Sequence, residues 1–210
     1  GEISRFYGYV ADGIFQNQTE VNAHTDEYGT VIQPNAQPGD IRFKDLNHDG
    51  KLDDNDKTFI GNAFPDLMVG INARLAWKNI DFAANFYGTI GNDVYNTTKG
   101  RYSGVSGENV YAGTYNASWH GEGTSYDLPR LSYNDANQNW TRVSSFYVED
   151  GSYLRCKQLQ IGYTLPKKWT KKISLRLSFS AQNPFTITGY SGMDPEAAAL
   201  GTEGKVTESG

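Results

Sequence analysis

Four segments of this chain alternate apolar and polar residues with a period of two, and each is long for a strand. In 66–77, Val69, Ile71, Ala73, Leu75 and Trp77 share one face, while Gly70, Asn72 and Arg74 share the other. In 80–88, Ile80, Phe82, Ala84 and Phe86 oppose Asp81, Ala83, Asn85 and Tyr87. Segment 153–165 sets Leu159, Ile161, Tyr163 and Leu165 against Gln158, Gln160, Gly162 and Thr164. Segment 173–183 sets Ile173, Leu175, Leu177, Phe179 and Ala181 against Ser174, Arg176, Ser178, Ser180 and Gln182. Successive side chains point to opposite faces only in an extended chain, so these are strands. A soluble β-sandwich alternates too, but its strands usually run about 5–6 residues, whereas a strand crossing a bilayer needs about 9–11. Aromatics near the ends of the apolar faces (Trp77, Phe86, Tyr163) suit an interfacial girdle. The pattern by itself leaves a membrane barrel and a soluble β-domain both open.

The connections favour the barrel. Only Lys78 and Asn79 separate the first two segments, a two-residue hairpin. The next connection, 89–152, is about sixty residues long, and the one after it, Pro166 to Lys172, is short again. Alternating short and long connections distinguish the periplasmic turns of an outer-membrane barrel from its extracellular loops. Long stretches without periodicity are rare in compact domains and usually functional. The expected class is therefore all-β: a portion of an antiparallel transmembrane β-barrel with long extracellular loops. Its organisation reads as an outer loop over 11–65, a strand hairpin over 66–88, a long outer loop over 89–152, a second hairpin over 153–183 and a further outer loop over 184–210. A strand near Ile3–Val10 is expected to ascend before the first loop, giving about five strands. Five strands cannot close a barrel, and an open edge in lipid leaves backbone groups unpaired, so the chain reads as a piece of a longer precursor.

Composition agrees. Aromatics make up 13% of the chain and glycine 23 residues, while apolar residues total only 38%, against nearer half in soluble domains. That combination describes β-structure with one wet face and polar loops. The net charge of −5 excludes a nucleic-acid footprint. A single cysteine, Cys156, excludes an internal disulfide and reads as a small wall residue. His24, His48 and His120 show no zinc-ligand spacing, and no apolar run is long enough for a membrane helix. No catalytic constellation stands out: Glu149 and Asp150 are adjacent and would point to opposite faces of an extended chain. The chain is not expected to be an enzyme.

One segment carries metal-ligand spacing. Residues 45–56 place Asp45, Asn47, Asp49, Asp53 and Asp56 at positions 1, 3, 5, 9 and 12 of a calcium-loop pattern. Gly50 falls where the loop must turn sharply, and Lys51 where a backbone carbonyl ligates. Asp in place of the usual Glu at the last position shortens that arm. The expected ion is structural Ca²⁺, with Mg²⁺ the alternative; a solvated acidic turn explains the same composition. The loop 91–151 gathers Tyr95, Tyr102, Tyr111, Tyr115, Trp119, Tyr126, Tyr133 and Trp140 among Asn, Gly and Ser. Such rings can stack on sugar, pack against a protein lid, or staple the loop over the barrel rim.

Phrases along most of the chain resemble the C-terminal region of SusC/RagA-family TonB-dependent outer-membrane transporters. They are GYVADGIFQN at 8–17, GDIRFKDLNHDGKLDDND at 39–56, and IGNAFPDLMVGINARLAWKNIDFAANFYGTIGNDVYN at 60–96. After the long loop follow PRL at 129–131, VEDGSYLRCKQLQIGYTLP at 148–166 and QNPFTITGYSGMDPE at 182–196. The stretches 18–38 and 101–128 resemble nothing in that family. The resemblance implies a 22-stranded barrel in the bacterial outer membrane, occluded by an N-terminal plug and energised through TonB. It also implies a SusD-like surface lipoprotein as lid and a glycan or peptide as cargo. The competing expectation is a secreted, calcium-stabilised β-domain that binds carbohydrate or a cell surface.

Overall fold

The computed structural model describes residues 5–101, 109–110, 112–171 and 173–196. The chain divides into two compact units. One comprises the chain up to Asn62 with Tyr95–Val148, the other Ala63–Val94 with the chain from Glu149 onward.

In the first unit, β1 (Arg5–Tyr9), β2 (Ala11–Ile14) and helix α1 (Gln18–Ala23) precede β3 (Ile41–Phe43) and β4 (Lys57–Asn62). β1 pairs antiparallel with β4, and β2 with β3. The strand expected near Ile3–Val10 is thus present as β1, but its partner is β4. Its hydrogen bonds serve the loop unit, not the long-stranded sheet. Small apolar clusters hold the unit together: Tyr9, Ile41 and Phe43 with Leu52 and Phe146, and separately Phe15, Val21 and Ala36. α1 is fixed at its start by reciprocal caps, Glu20 N–H donating to Asn17 Oδ1 and Gln16 N–H to the Glu20 carboxylate.

A buried polar network does the rest. Asp40 and Asn139 are among the largest fully buried side chains. Asp40 accepts from Arg130 Nε at 2.6 Å, Asn139 Nδ2 at 2.8 Å and Gln37 N at 2.8 Å. Asn139 Oδ1 in turn accepts from Ile41 N. Gln33 stands beside β3 like a surrogate strand, its amide oxygen accepting from Phe43 N and its nitrogen donating to Ile41 O. Side chains about a hundred residues apart in sequence therefore satisfy one another's polar atoms, which burial demands. This is how a chain poor in aliphatic residues builds a fixed loop unit.

The second unit is a sheet. β5 (Leu67–Trp77) and β6 (Ile80–Ile90) form one hairpin. Next along the chain come short β7 (Asp93–Tyr95), then helices α2 (Thr98–Arg101) and α3 (Ala112–Ala117), which belong to the first unit, and then β8 (Val148–Asp150). β9 (Tyr153–Thr164), α4 (Lys167–Thr170) and β10 (Arg176–Thr188) complete the chain's regular elements. The long strands pair antiparallel in the order β10-β9-β6-β5. Four such strands stand in one sheet among the described residues. Lys78, at φ 54°, supplies the positive φ that the primed two-residue hairpin turns require.

Strand ends differ from the alternation reading. β6 continues to Ile90 and β10 to Thr188, so the loop expected from residue 184 begins later. β10 passes an irregularity between Gln182 and Phe185, where Asn183 takes φ 48°. Pro184 has no amide to lose there, and Phe185 re-enters the ladder opposite Cys156. At its other end β10 starts at Arg176 instead of Ile173, with one further backbone hydrogen bond, from Leu165 N to Leu175 O, before the turn.

Candidate functional site

The sheet has two chemically distinct faces, and the ladder registers show how far each extends. Across β5, β6, β9 and β10, one row reads Trp77, Ile80, Tyr163, Leu177, and the next Leu75, Phe82, Ile161, Phe179. Then come Ala73, Ala84, Leu159, Ala181, followed by Ile71, Phe86, Cys156, Phe185, and then Val69, Gly88, Leu154, Ile187. Five successive rows carry no polar side chain apart from the Tyr163 hydroxyl and the buried Cys156 thiol. Leu75, Trp77, Leu177, Phe179 and Ile187 are all at least 60% exposed. The apolar clusters of buried residues lie in the other unit, so this face does not converge on a core. Cys156 itself is fully buried beneath Phe86 and Phe185, whose ring centroids are 6.3 Å apart.

The opposite face is polar. Asn72, Asn85, Gln158 and Gln182 make one row, with Asn85 Nδ2 donating to Gln158 Oε1 at 3.3 Å. Arg176 on β10 reaches Asp81 on β6 across the intervening β9. Gly162 makes that possible, because a Cβ there would stand 2.5 Å from Asp81 Oδ1 and Arg176 Nη2. Arg155 and Lys157 form a second charged group with Asp194 and Glu196. Lys157 has no partner in either neighbouring ladder. It is a bulged residue that lets the chain keep Lys157 and Gln158 on the polar face while Cys156 and Leu159 stay apolar.

The acidic loop lies in the first unit. Gly50 takes φ 79°, the left-handed region that the pattern assigns to glycine. Asp45 accepts from His48 N at 2.7 Å and Gly50 N at 2.8 Å. Asp56, fully buried, accepts from Leu46 N and Asp53 N, both at 2.8 Å. Asn47 accepts from Asp49 N, Asp49 from Lys51 N, and Asp53 from Asn55 N. Asp45 and Asp56 thus act as internal caps, while Asn47, Asp49 and Lys51 are exposed. Among the described residues no group of three or more His, Cys, Asp or Glu side chains is assembled to hold a metal ion. The donor chemistry suits a hard cation; the oxygens are turned to the loop's own amides.

The aromatic candidates separate into three groups. Tyr95 and Trp140 belong to a packed aromatic chain. Tyr95 lies 5.2 Å from Tyr147, Tyr147 5.1 Å from Phe146, and Phe146 5.7 Å from Trp140, between ring centroids. Tyr147 Oη donates to Trp140 O at 2.6 Å. Burial pushes the Tyr95 hydroxyl up to about 12, against a smaller opposing effect of its backbone hydrogen bond with Ser144, and burial raises Tyr147 as well. Tyr115, Tyr126 and Tyr133 are exposed, and Trp119 is half-buried against Gly39 with its indole N–H donating to Gln16. Tyr102 and Tyr111 lie outside the described residues. The alternation reading passed over Arg155, Lys157, Asp194 and Glu196, and also Asp40 with Arg130. Lone charges in a polar-face or loop position give no periodic signal.

No protein-family model matches the chain. It is 35% identical over 198 residues to TonB-dependent receptor P3 of Formosa agariphila, covering 93% of this chain and 19% of that protein. It is 26% identical to TonB-dependent receptor SusC of Bacteroides thetaiotaomicron, covering 93% of this chain and 20% of that one. The structure of the RagAB peptide transporter superposes with a TM-score of 0.65 at 22% identity, over 92% of this chain and 20% of that one. The chain therefore spans about a fifth of the length of the relatives it matches, and the names those relatives carry are of receptors and an importer. With a long-stranded antiparallel sheet of one apolar and one polar face, this chain belongs to the SusC/RagA family of TonB-dependent outer-membrane β-barrel receptors.

Proposed function

We propose that the chain forms part of the outer-membrane barrel of a TonB-dependent importer that takes up an oligosaccharide or peptide nutrient with a SusD-like surface lipoprotein. The observation that carries the reading is the set of five apolar rows spanning four strands. Water-exposed apolar surface of that extent is costly, at about 25 cal/mol per Å², unless lipid covers it. The strands have the length a bilayer crossing needs, and the polar face behind them supplies a wet wall. The long connections 11–65 and 89–152 are the outer loops of this reading, where a lid and cargo are met. The likeness to the RagAB peptide transporter supports uptake, with a peptide as the solute named for RagAB.

The test is uptake by cells producing the full-length receptor together with a SusD-like lipoprotein from the same organism. Labelled oligosaccharide and labelled peptide pools are offered with TonB intact or deleted. Accumulation of one pool that disappears without TonB is expected; equal accumulation in both strains overturns the reading. A receptor that remains soluble without detergent would favour the secreted β-domain instead. Calcium at residues 45–56 belongs to the same proposal as a structural ion. It requires Asn47, Asp49 and Asp53 to turn inward beside Asp45 and Asp56. Calcium titration of the chelator-treated receptor tests it: saturable binding with added protection of the loop's amides is expected, and unchanged exchange overturns it.

A further inference from the structure

After β10 the chain turns back and lays Tyr190–Glu196 against the polar face of the sheet. Arg155 uses all three of its donor positions. Nε donates to Thr186 Oγ1 at 2.8 Å, Nη1 to Glu196 Oε2 at 2.6 Å and Nη2 to Asp194 Oδ1 at 2.5 Å. Lys157 Nζ grips both oxygens of Glu196, at 2.5 and 2.7 Å. Asp194 Oδ1 also accepts from Glu196 N at 2.9 Å, which presets the two carboxylates side by side. Nearer the strand, Ser191 donates from its backbone N and its hydroxyl to Glu149, and Thr188 donates to Ser152 O. The grip is polar: Met193, the turn's methionine, is 99% exposed.

Arg155 and Lys157 stand two residues apart, so strand alternation alone places both cations on the polar face, and the bulge at Lys157 adds Gln158 beside them. A guanidinium and an ammonium side by side repel each other unless anions sit between them, and here the chain's own carboxylates do so. A guanidinium matches carboxylate geometry, and its hydrogen bonds with carboxylates are among the stronger ones. The carboxylates are the wetted half of the group, with Asp194 40% and Glu196 28% exposed over an Arg155 side chain that is 10% exposed, so a competing multivalent carboxylate reaches the cations only when the chain's own carboxylates move aside.

We propose that residues 189–196 form a strap whose Asp194 and Glu196 occupy a carboxylate-binding pair, Arg155 and Lys157, and that opening the strap exposes this pair to an anionic solute. The inference rests on the barrel reading, which makes the polar face the wall of the lumen. The test uses the full-length receptor in phosphatidylcholine nanodiscs, with a nitroxide on Met193→Cys. The parent is expected to give an immobilised spectrum. The variant Asp194→Asn/Glu196→Gln is expected to give a mobile one and to bind triglutamate at least tenfold more tightly than the parent, with affinity falling as salt rises. Adding Arg155→Gln and Lys157→Gln should leave the label mobile and abolish triglutamate binding. An immobile label in the first variant, a mobile one in the parent, or unchanged triglutamate affinity overturns the strap. Should the double variant not fold, Glu196→Gln alone, which leaves Arg155 paired with Asp194, carries the same comparison. Heat-modifiable migration of the parent receptor is read in parallel: its absence overturns the barrel, whereas its presence with a mobile parent label overturns only the strap.

Discussion

At the scale of single residues, the acidic loop shows how one sequence pattern serves two physical ends. Asp56 is buried and accepts amides from both ends of its loop, whereas Asp49 is exposed and accepts only from its near neighbour Lys51 and from the Asn47 side chain. Removing Asp56 strands two part-buried amide donors, and hydrogen bonds to charged groups are worth about 1.5–3 kcal/mol each. Asp56→Ala should therefore weaken the loop by about 3 kcal/mol, read as faster hydrogen exchange of residues 45–57 in the calcium-free receptor. Asp49→Ala should change that exchange by no more than about 0.5 kcal/mol. Equal effects would mean that the loop is organised around something other than its own amides. The tyrosine pair gives a pH signature in the same unit. Tyr95 and Tyr147 are both raised above 10 by burial, so the unfolded chain releases these protons before the folded one does. Their stabilising contribution is whole below pH 10 and is lost as pH climbs toward 12 and beyond. Absorbance at 295 nm should show most tyrosines ionising near 10 and a late fraction above 11 that coincides with melting of the loop unit. Replacing Tyr95 by Phe should remove part of that late fraction.

At the scale of elements, the sheet was largely legible and the loop unit was not. Alternation located β5, β6, β9 and β10 because a strand in an amphipathic wall repeats every two residues, and no other element does. The strand ends were harder. β10 looks finished at Asn183–Pro184 because a proline usually ends a strand, yet a bulge carries the ladder on to Phe185–Thr188. β9 reverses phase between Cys156 and Leu159, and it is the ladder registers that show Lys157 to be the bulged residue. The loop unit is held by Asp40, Gln33, Asn139 and Arg130, polar residues with no period, brought together across about a hundred positions. Only three-dimensional pairing reveals them. For the sheet, lipid contact makes a sharp prediction. Ile71 and Asn72 are sequence neighbours on opposite faces near mid-strand. Ile71→Arg should destabilise the receptor refolded in bilayers by about 2–4 kcal/mol, whereas Asn72→Arg should cost less than about 1 kcal/mol. Urea unfolding followed by tryptophan fluorescence measures both, and a harmless Ile71→Arg would place that face away from lipid.

At the scale of the whole molecule, an importer of the proposed kind needs surfaces for a lid and a cargo, and the folded loop unit offers candidates. Its exposed aromatics, Tyr115, Tyr126 and Tyr133, lie in the segment between β7 and β8, while Tyr95 and Trp140 hold the same segment from inside. Rigid loops that present tyrosines lose little entropy on docking, and tyrosine is enriched in interface cores. Cargo stacking and lid packing would use the same rings, so loss of activity alone does not separate them. Purification of the full-length receptor in mild detergent, with the SusD-like lipoprotein co-produced, does. Recovery of both proteins together is expected from the parent. Tyr115→Ala, Tyr126→Ala and Tyr133→Ala combined should reduce lipoprotein recovery at least tenfold while the barrel still migrates as folded. If recovery is unchanged but uptake of labelled solute falls, the rings belong to the cargo and the lid docks elsewhere. If the barrel is recovered alone from the parent, the lid assignment is wrong. Deleting 101–128 in the same background then asks whether this part of the loop carries the contact: loss of lipoprotein recovery with a folded barrel places the interface there, and unchanged recovery places it elsewhere.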